Sequence, residues 1–105
     1  MSDFRSPLAP DANAGKVTLV TGGGTGIGRA TAMELARTGA KVVVCGRRPE
    51  PLEAVQAELG EDCLAVPTDV RESEQVVALV DRALEHFGRI DVLVNNAGGQ
   101  FLAPA

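Results

Sequence analysis

Residues Thr21 to Gly28 read TGGGTGIG, with glycine at 22, 23, 24, 26 and 28, directly after the apolar run Val17 to Val20. A strand, a glycine turn and a helix start in that order expose unpaired N–H groups and a partial positive charge, which together suit an anion such as a phosphate. Bare backbone serves this purpose because a Cβ would hold the phosphate off and bar positive φ in the turn. A phosphate seated at Gly22 to Gly28 is therefore expected, and a glycine turn without a ligand is the alternative. The loop is not a P-loop for ATP or GTP hydrolysis, since Arg29 and Ala30 stand where Lys and Ser/Thr would follow the last glycine. The spacing G-x-G-x-x-G fails too: its third glycine falls on Ile27 when counted from Gly22 and on Arg29 when counted from Gly24. What the chain carries is Thr-Gly-x-x-x-Gly-x-Gly, on Thr21, Gly22, Gly26 and Gly28.

The elements that must position this loop follow from hydrophobic periodicity. Short β-branched runs alternate with helical patterns: Val17 to Val20, Ile27 to Thr38, Val42 to Cys45, Pro51 to Leu59, Leu64 to Val66, Glu74 to Phe87 and Ile90 to Val94. In the last helix Val76, Val80, Ala83 and Phe87 share a stripe that Val77 and Leu84 widen, and Gly88 supplies a left-handed stop. In the first, Ile27, Thr31 and Leu35 share a face with Gly28 and Ala32, and Gly39 ends the helix. Pro49 and Pro51 suit the opening turn of the second, which Gly60 closes. Nearly continuous Val, Leu and Ile strands imply an α/β fold with a parallel sheet covered on both faces. If the order runs 3-2-1, right-handed crossovers place the first two helices on one face, and a third connection that reverses direction gives order 3-2-1-4 with its helix on the other face. That reversal opens a crevice beyond the carboxyl ends of the first and fourth strands, where the loop falls. Residues 1 to 14, rich in Pro, Ala and Asp, read as a loose leader.

The 105 residues suffice for one small domain; 45% are hydrophobic, 23% charged, and the net charge is −4. That balance fits a soluble globular protein and lacks the basic excess of a nucleic-acid binder. With no apolar run near the length of a membrane span and no signal-peptide core, the expectation is a cytoplasmic protein with no membrane partner. Cys45 and Cys63 fall at opposite ends of adjacent strands, too far apart to bridge, and read as buried thiols. A single histidine, His86, and the lack of closely spaced cysteines argue against a metal site. His86 reads as a charge partner near a helix C-terminus.

The spacing on Thr21, Gly22, Gly26 and Gly28 resembles the nucleotide loop of the short-chain dehydrogenase/reductase family. Thr68-Asp69-Val70 resembles that family's adenine contact, and Asn95-Asn96-Ala97-Gly98 its segment between neighbouring strands beside the nicotinamide ribose. The resemblance implies that residues 15 to 105 form the N-terminal part of a Rossmann-like doubly wound domain, with the C-terminal half absent. It implies cofactor contacts from Thr21, Gly22, Gly24, Thr25, Gly26, Ile27, Gly28, Asp69, Val70, Asn96, Ala97 and Gly98. Asp69 would accept from the adenine amine; the other reading makes it a helix cap with Glu72 three positions on. NAD-binding chains carry an acid at the end of the second strand, but Gly46, Arg47 and Arg48 stand there. A guanidinium binds phosphate bidentately, so NADP(H) is expected over NAD(H), with Arg47 the first choice for the 2′-phosphate and Arg48 the second. Two solvated arginines are the alternative, and Thr25 stands where many NADP-binding relatives carry a basic residue.

Catalysis in the family uses Ser, Tyr and Lys beyond this region, and the chain has no tyrosine. The expectation is a fragment of a larger oxidoreductase that turns nothing over by itself, in a parent that is a homodimer or homotetramer. The loop and the tail Gly98 to Ala105 resemble the branch containing peroxisomal trans-2-enoyl-CoA and 2,4-dienoyl-CoA reductases. There Gln100, Phe101 and Leu102 would lie near the hydride path, Phe101 as a core residue being the other reading. An acyl thioester substrate follows for the parent, with 3-oxoacyl or alcohol/ketone reduction, a non-catalytic NADP-binding regulator and an inactive truncated product as alternatives.

Overall fold

The computed structural model describes residues 12–96. The first eleven residues of the expected leader, and Ala97, Gly98, Gln100, Phe101 and Leu102, lie outside the described residues. Four strands, β1 (Val17–Thr21), β2 (Lys41–Gly46), β3 (Cys63–Pro67) and β4 (Val92–Val94), alternate with the helices α1 (Gly26–Arg37), α2 (Pro49–Leu59) and α3 (Ser73–Phe87). A short 3-10 turn, Gly60–Asp62, leads into β3. All pairings are parallel and the order is β3-β2-β1-β4, as expected.

Alternation along β2 divides the interior in two. Val42 and Val44 point to the face covered by α1 and α2, where Ala32, Leu52 and Val55 meet them. Val43 and Cys45 point to the opposite face, under Leu79 and Ala83 of α3. Cys45 and Cys63 thus lie in different clusters. Register places Cys63 beside Val42, three positions from Cys45, or about 10 Å along the strands. Both thiols are free and buried.

Two helical faces differ from the periodicity reading. On α3 the buried centre is Leu79 and Ala83, with Val76, Val80 and Phe87 half-buried, while Val77 and Leu84 are 60% and 43% exposed. At about 100° per residue, Val77 and Leu84 sit about 140° and about 120° from that centre, and a single sheet face covers only one side of a helix. On α1, Gly28 and Ala32 make the close contact and Ile27 is 76% exposed rather than sharing it. His86 lies in the last turn of α3, its ring edge-on to Phe87 at 4.6 Å.

The chain ends of the sheet also differ from expectation. β4 starts at Val92, not Ile90, because Asp91 takes both sides of the exchange with Val17: its N–H donates to the Val17 carbonyl and its Oδ2 accepts the Val17 N–H, each at 2.8 Å. A side chain therefore stands where a further ladder bond would form. The ordered fold also starts before Lys16: the Asn13 N–H donates to the Thr38 carbonyl at 2.9 Å and its amide Nδ2 to the Thr38 hydroxyl at 2.7 Å. The last part of the expected leader is thereby tied to the end of α1.

Burial pushes both thiols up to about 11, from an ordinary value of 9.0. Folded thiols keep their protons where unfolded ones release them, so stability falls as pH rises from 9.0 to about 11. Urea midpoints measured across that range are expected to drop, and the drop is expected to shrink in a Cys45→Ala, Cys63→Ala double variant. Neither native thiol is expected to react with a disulfide reagent at neutral pH.

Candidate functional site

The site is built where the strand order reverses, at the carboxyl ends of β1 and β4. Thr21, the last residue of β1, is buried, and its hydroxyl oxygen accepts the Asn96 N–H at 2.7 Å. The same hydroxyl lies 3.1 Å from Asn95 Oδ1 and 3.4 Å from the Val94 carbonyl, either of which accepts its proton. One threonine thus ties the loop after β4 to the loop after β1.

Between Thr21 and α1 the backbone folds tightly, and Gly22 takes a φ of 65° that a side chain would resist. Gly28 is buried, and a Cβ there would lie 1.9 Å from the Gly22 carbonyl oxygen and 2.8 Å from Asn96 Nδ2. Gly23 and Gly24 press against β2 and α2: a Cβ on the first would meet Val44 at 2.7 Å, and one on the second Pro51 at 2.8 Å. The bare backbone is needed for the protein's own packing.

This packing redistributes the amides expected to face a phosphate. The Gly22 and Gly23 N–H groups both donate to the Cys45 carbonyl, at 2.8 and 3.2 Å, and so serve the sheet edge. In the first turn of α1, the N–H groups of Gly26, Ile27 and Gly28 have no acceptor one turn earlier in the helix. Thr25 occupies the N-cap in extended conformation and makes no side-chain cap bond. The exposed Ile27 stands at this same mouth.

A cavity of about 400 Å³ adjoins the loop, lined by Gly22, Gly24, Thr25, Gly46, Arg47, Arg48, Pro51 and Leu52. Both arginines are exposed, and no acid lines it among the described residues. Gly46, Pro51 and Leu52 are lining residues that the motif reading did not name as site residues. Their signal is weak in sequence, because α2 meets the loop only in the folded chain, where Pro51 and Leu52 lie against Gly24.

Asp69 stands at the end of β3, next to that of β2, since the Thr68 N–H donates to the Gly46 carbonyl at 2.7 Å. Its Oδ1 accepts the backbone N–H and the Nε of Arg71, each at 3.0 Å, and its Oδ2 accepts the Arg71 terminal nitrogen at 2.9 Å. These bonds, led by that of the guanidinium, bring the Asp69 carboxyl down to about 2. Asp69 is no helix cap: α3 starts at Ser73 with Glu72 at its N-cap, so the capping alternative is set aside. Val70 is 39% exposed beside it. The structure therefore gathers Gly22, Gly24, Thr25, Arg47 and Arg48 around one cavity, holds Asn96 against Thr21 and Gly28, and leaves Asp69 and Val70 at the neighbouring strand end.

Comparison with known proteins places this geometry. The family model described as short chain dehydrogenase matches residues 16–105. A peroxisomal 2,4-dienoyl-CoA reductase of Danio rerio, of the (3E)-enoyl-CoA-producing kind, is 39% identical over 109 aligned residues, covering 100% of this chain and 36% of that protein. A citronellol catabolism dehydrogenase of Pseudomonas aeruginosa superposes with a TM-score of 0.80 at 48% identity, covering 85% of this chain and 38% of its own. A 3-ketoacyl-(acyl-carrier-protein) reductase from Brucella melitensis, solved with NADH, gives a TM-score of 0.80 at 41% identity, over 87% and 40% of the two chains. The chain spans little more than a third of the length of the relatives it matches.

Gly28→Ala is expected to lower stability by about 1–3 kcal/mol, the cost of forcing a methyl into a filled site. Denaturant unfolding beside Gly60→Ala, whose added methyl meets nothing within 4 Å, separates overpacking from backbone strain. An equal loss in the two variants would remove the close approach as its cause.

Proposed function

The chain belongs to the short-chain dehydrogenase family, and on that premise we propose that it is the N-terminal, cofactor-binding part of an NADP(H)-dependent oxidoreductase acting on an enoyl thioester of coenzyme A. The observation that carries the cofactor reading is the cavity at the end of β2, which presents Arg47 and Arg48 and no carboxylate among its lining residues. A ribose 2′-phosphate gains charge-assisted hydrogen bonds there, and no acid of that lining is placed to take a 2′-hydroxyl as NAD binders do.

The residues fit a dinucleotide in its other parts. The pyrophosphate would rest on the amides of Gly26, Ile27 and Gly28, where no side chain caps the helix. Gly22, Gly24 and Thr25 would wall the adenosine side of the loop, Asp69 would accept from the adenine amine, and Val70 would lie against the ring. Asn96, Ala97 and Gly98 would border the nicotinamide ribose. When bound, the cofactor supplies the hydride; the part of this chain is to orient it and exclude water from its phosphates. Proton transfer and substrate alignment then fall to Ser, Tyr and Lys of a longer polypeptide, and the 105 residues alone leave substrate unreacted.

Similarity to a 2,4-dienoyl-CoA reductase across the whole chain favours the enoyl thioester. The likeness to the Brucella 3-ketoacyl reductase supports the second reading, 3-oxoacyl reduction. A homodimer or homotetramer and a cytoplasmic location complete the proposal; no described helix is long and apolar enough to cross a membrane.

Calorimetric titration of the full-length protein is expected to show NADPH binding about tenfold more tightly than NADH, with Arg47→Ala removing most of that difference. Equal affinities in the unaltered protein would overturn the NADP(H) assignment. Steady-state rates with a trans-2-enoyl-CoA and a 3-oxoacyl-CoA decide the substrate: faster turnover of the latter would replace the first reading by the second.

A further inference from the structure

Three arginines, Arg47, Arg48 and Arg71, gather near the ends of β2 and β3, and the acid beside them is Asp69. The bond from the Thr68 N–H to the Gly46 carbonyl, at 2.7 Å, sets Asp69 next to Arg47 across the two strand ends. The Arg47 charge reaches the Asp69 carboxylate, although weakly beside that of Arg71. Asp69 is partnered by Arg71, in a two-pronged ion pair with bonds of 2.9 and 3.0 Å. Among the described residues no carboxylate pairs with Arg47 or Arg48. The Asp69 side chain is 20% exposed and that of Arg71 70%, so the acid is the more sheltered member of the pair.

We infer that Arg71 is a positioning residue for cofactor selection: by engaging the Asp69 carboxylate it keeps Arg47 available to a ribose 2′-phosphate and screens that phosphate from the acid. This rests on the NADP(H) reading above and names the residue that makes an acid at the end of β3 compatible with it. A carboxylate within a Debye length of a phosphate repels it, and one beside an unpaired arginine competes for that arginine. Both effects vanish once the carboxylate is neutralised locally. Gln75 and Glu72 complete the surroundings. The Gln75 Oε1 accepts the Asp69 N–H at 2.8 Å, and Glu72 adds a favourable charge near Arg71.

The geometry separates the charge of Arg71 from any structural part it plays. Its backbone N–H, donating to Asp69 Oδ1 at 3.0 Å, survives a change of side chain and keeps the turn that orients the carboxylate. Arg71→Gln therefore removes the charge and leaves the turn.

The test is the ratio of NADH to NADPH dissociation constants in the full-length protein, for the unaltered chain, Arg71→Gln, and Arg71→Gln with Asp69→Asn. The two cofactors differ only in the 2′-phosphate, so a general loss of folding or of adenine binding leaves the ratio unmoved. Arg71→Gln is expected to cut the preference for NADPH about fivefold, the scale of one exposed charge interaction. Adding Asp69→Asn is expected to restore the ratio while weakening both cofactors alike, and the Arg71→Gln effect is expected to shrink at high salt. An unchanged ratio in Arg71→Gln, with NADPH still preferred by the unaltered chain, would overturn this inference and leave the NADP(H) reading standing. A lowered ratio that Asp69→Asn fails to restore would also overturn it, by pointing to direct contact of Arg71 with the phosphate. No NADPH preference in the unaltered chain would defeat the NADP(H) reading itself, and the role of Arg71 with it.

Discussion

The contact of Gly28 with the Gly22 carbonyl is the constraint on which the site depends. Because no atom stands on the Gly28 Cα, α1 starts within touching distance of the strand that feeds it, and its first amides open at the sheet's edge. The same absence admits Asn96, which binds the Thr21 hydroxyl through its N–H. Three segments distant in sequence, the end of β1, the start of α1 and the exit of β4, are thereby fixed at one point. A helix that began an ångström farther out would lose the close approach to Asn96 and widen the mouth at the end of β1.

Around that point charge is distributed unevenly. The loop itself offers amides and a helix end, which attract any anion. Beyond it, at the ends of β2 and β3, a pair of arginines lines the cavity and Asp69 is engaged by a third. Backbone and side chains differ in kind here: the partial charges at the helix end are fixed in place, whereas Arg47 and Arg48 stand exposed on long side chains.

Much of this was legible in the residue pattern. Runs of Val and Leu, each followed by a helical stripe and a glycine stop, fixed the alternation of elements, and for the expected strand order the handedness of crossovers fixed which face each helix covers. Less legible were the places where one residue serves two partners. Asp91 shortens β4 because its side chain replaces a ladder bond, and nothing in its spacing signals that. Val77 and Leu84 belong to the apolar periodicity of α3 yet stay exposed, since a stripe on a helical wheel is wider than the arc one sheet face can cover. Ile27 likewise obeys the pattern of α1 and is turned out to the crevice, because the small residues Gly28 and Ala32 bring that helix in along a different line.

By itself the sequence determined the class of fold and the place of the glycine loop between the first strand and the first helix, because both follow from local periodicity and from the steric freedom of glycine. Only the tertiary structure decided which loop amides the protein uses for itself, with the Cys45 carbonyl claiming those of Gly22 and Gly23. It also decided which arginines stay unpaired, since Arg71 and Arg47 lie on loops 24 positions apart in the chain and share Asp69 as a neighbour only once β2 and β3 are laid side by side. Pairing across a sheet is a long-range event, and the competition for one carboxylate or one carbonyl exists only after it has occurred.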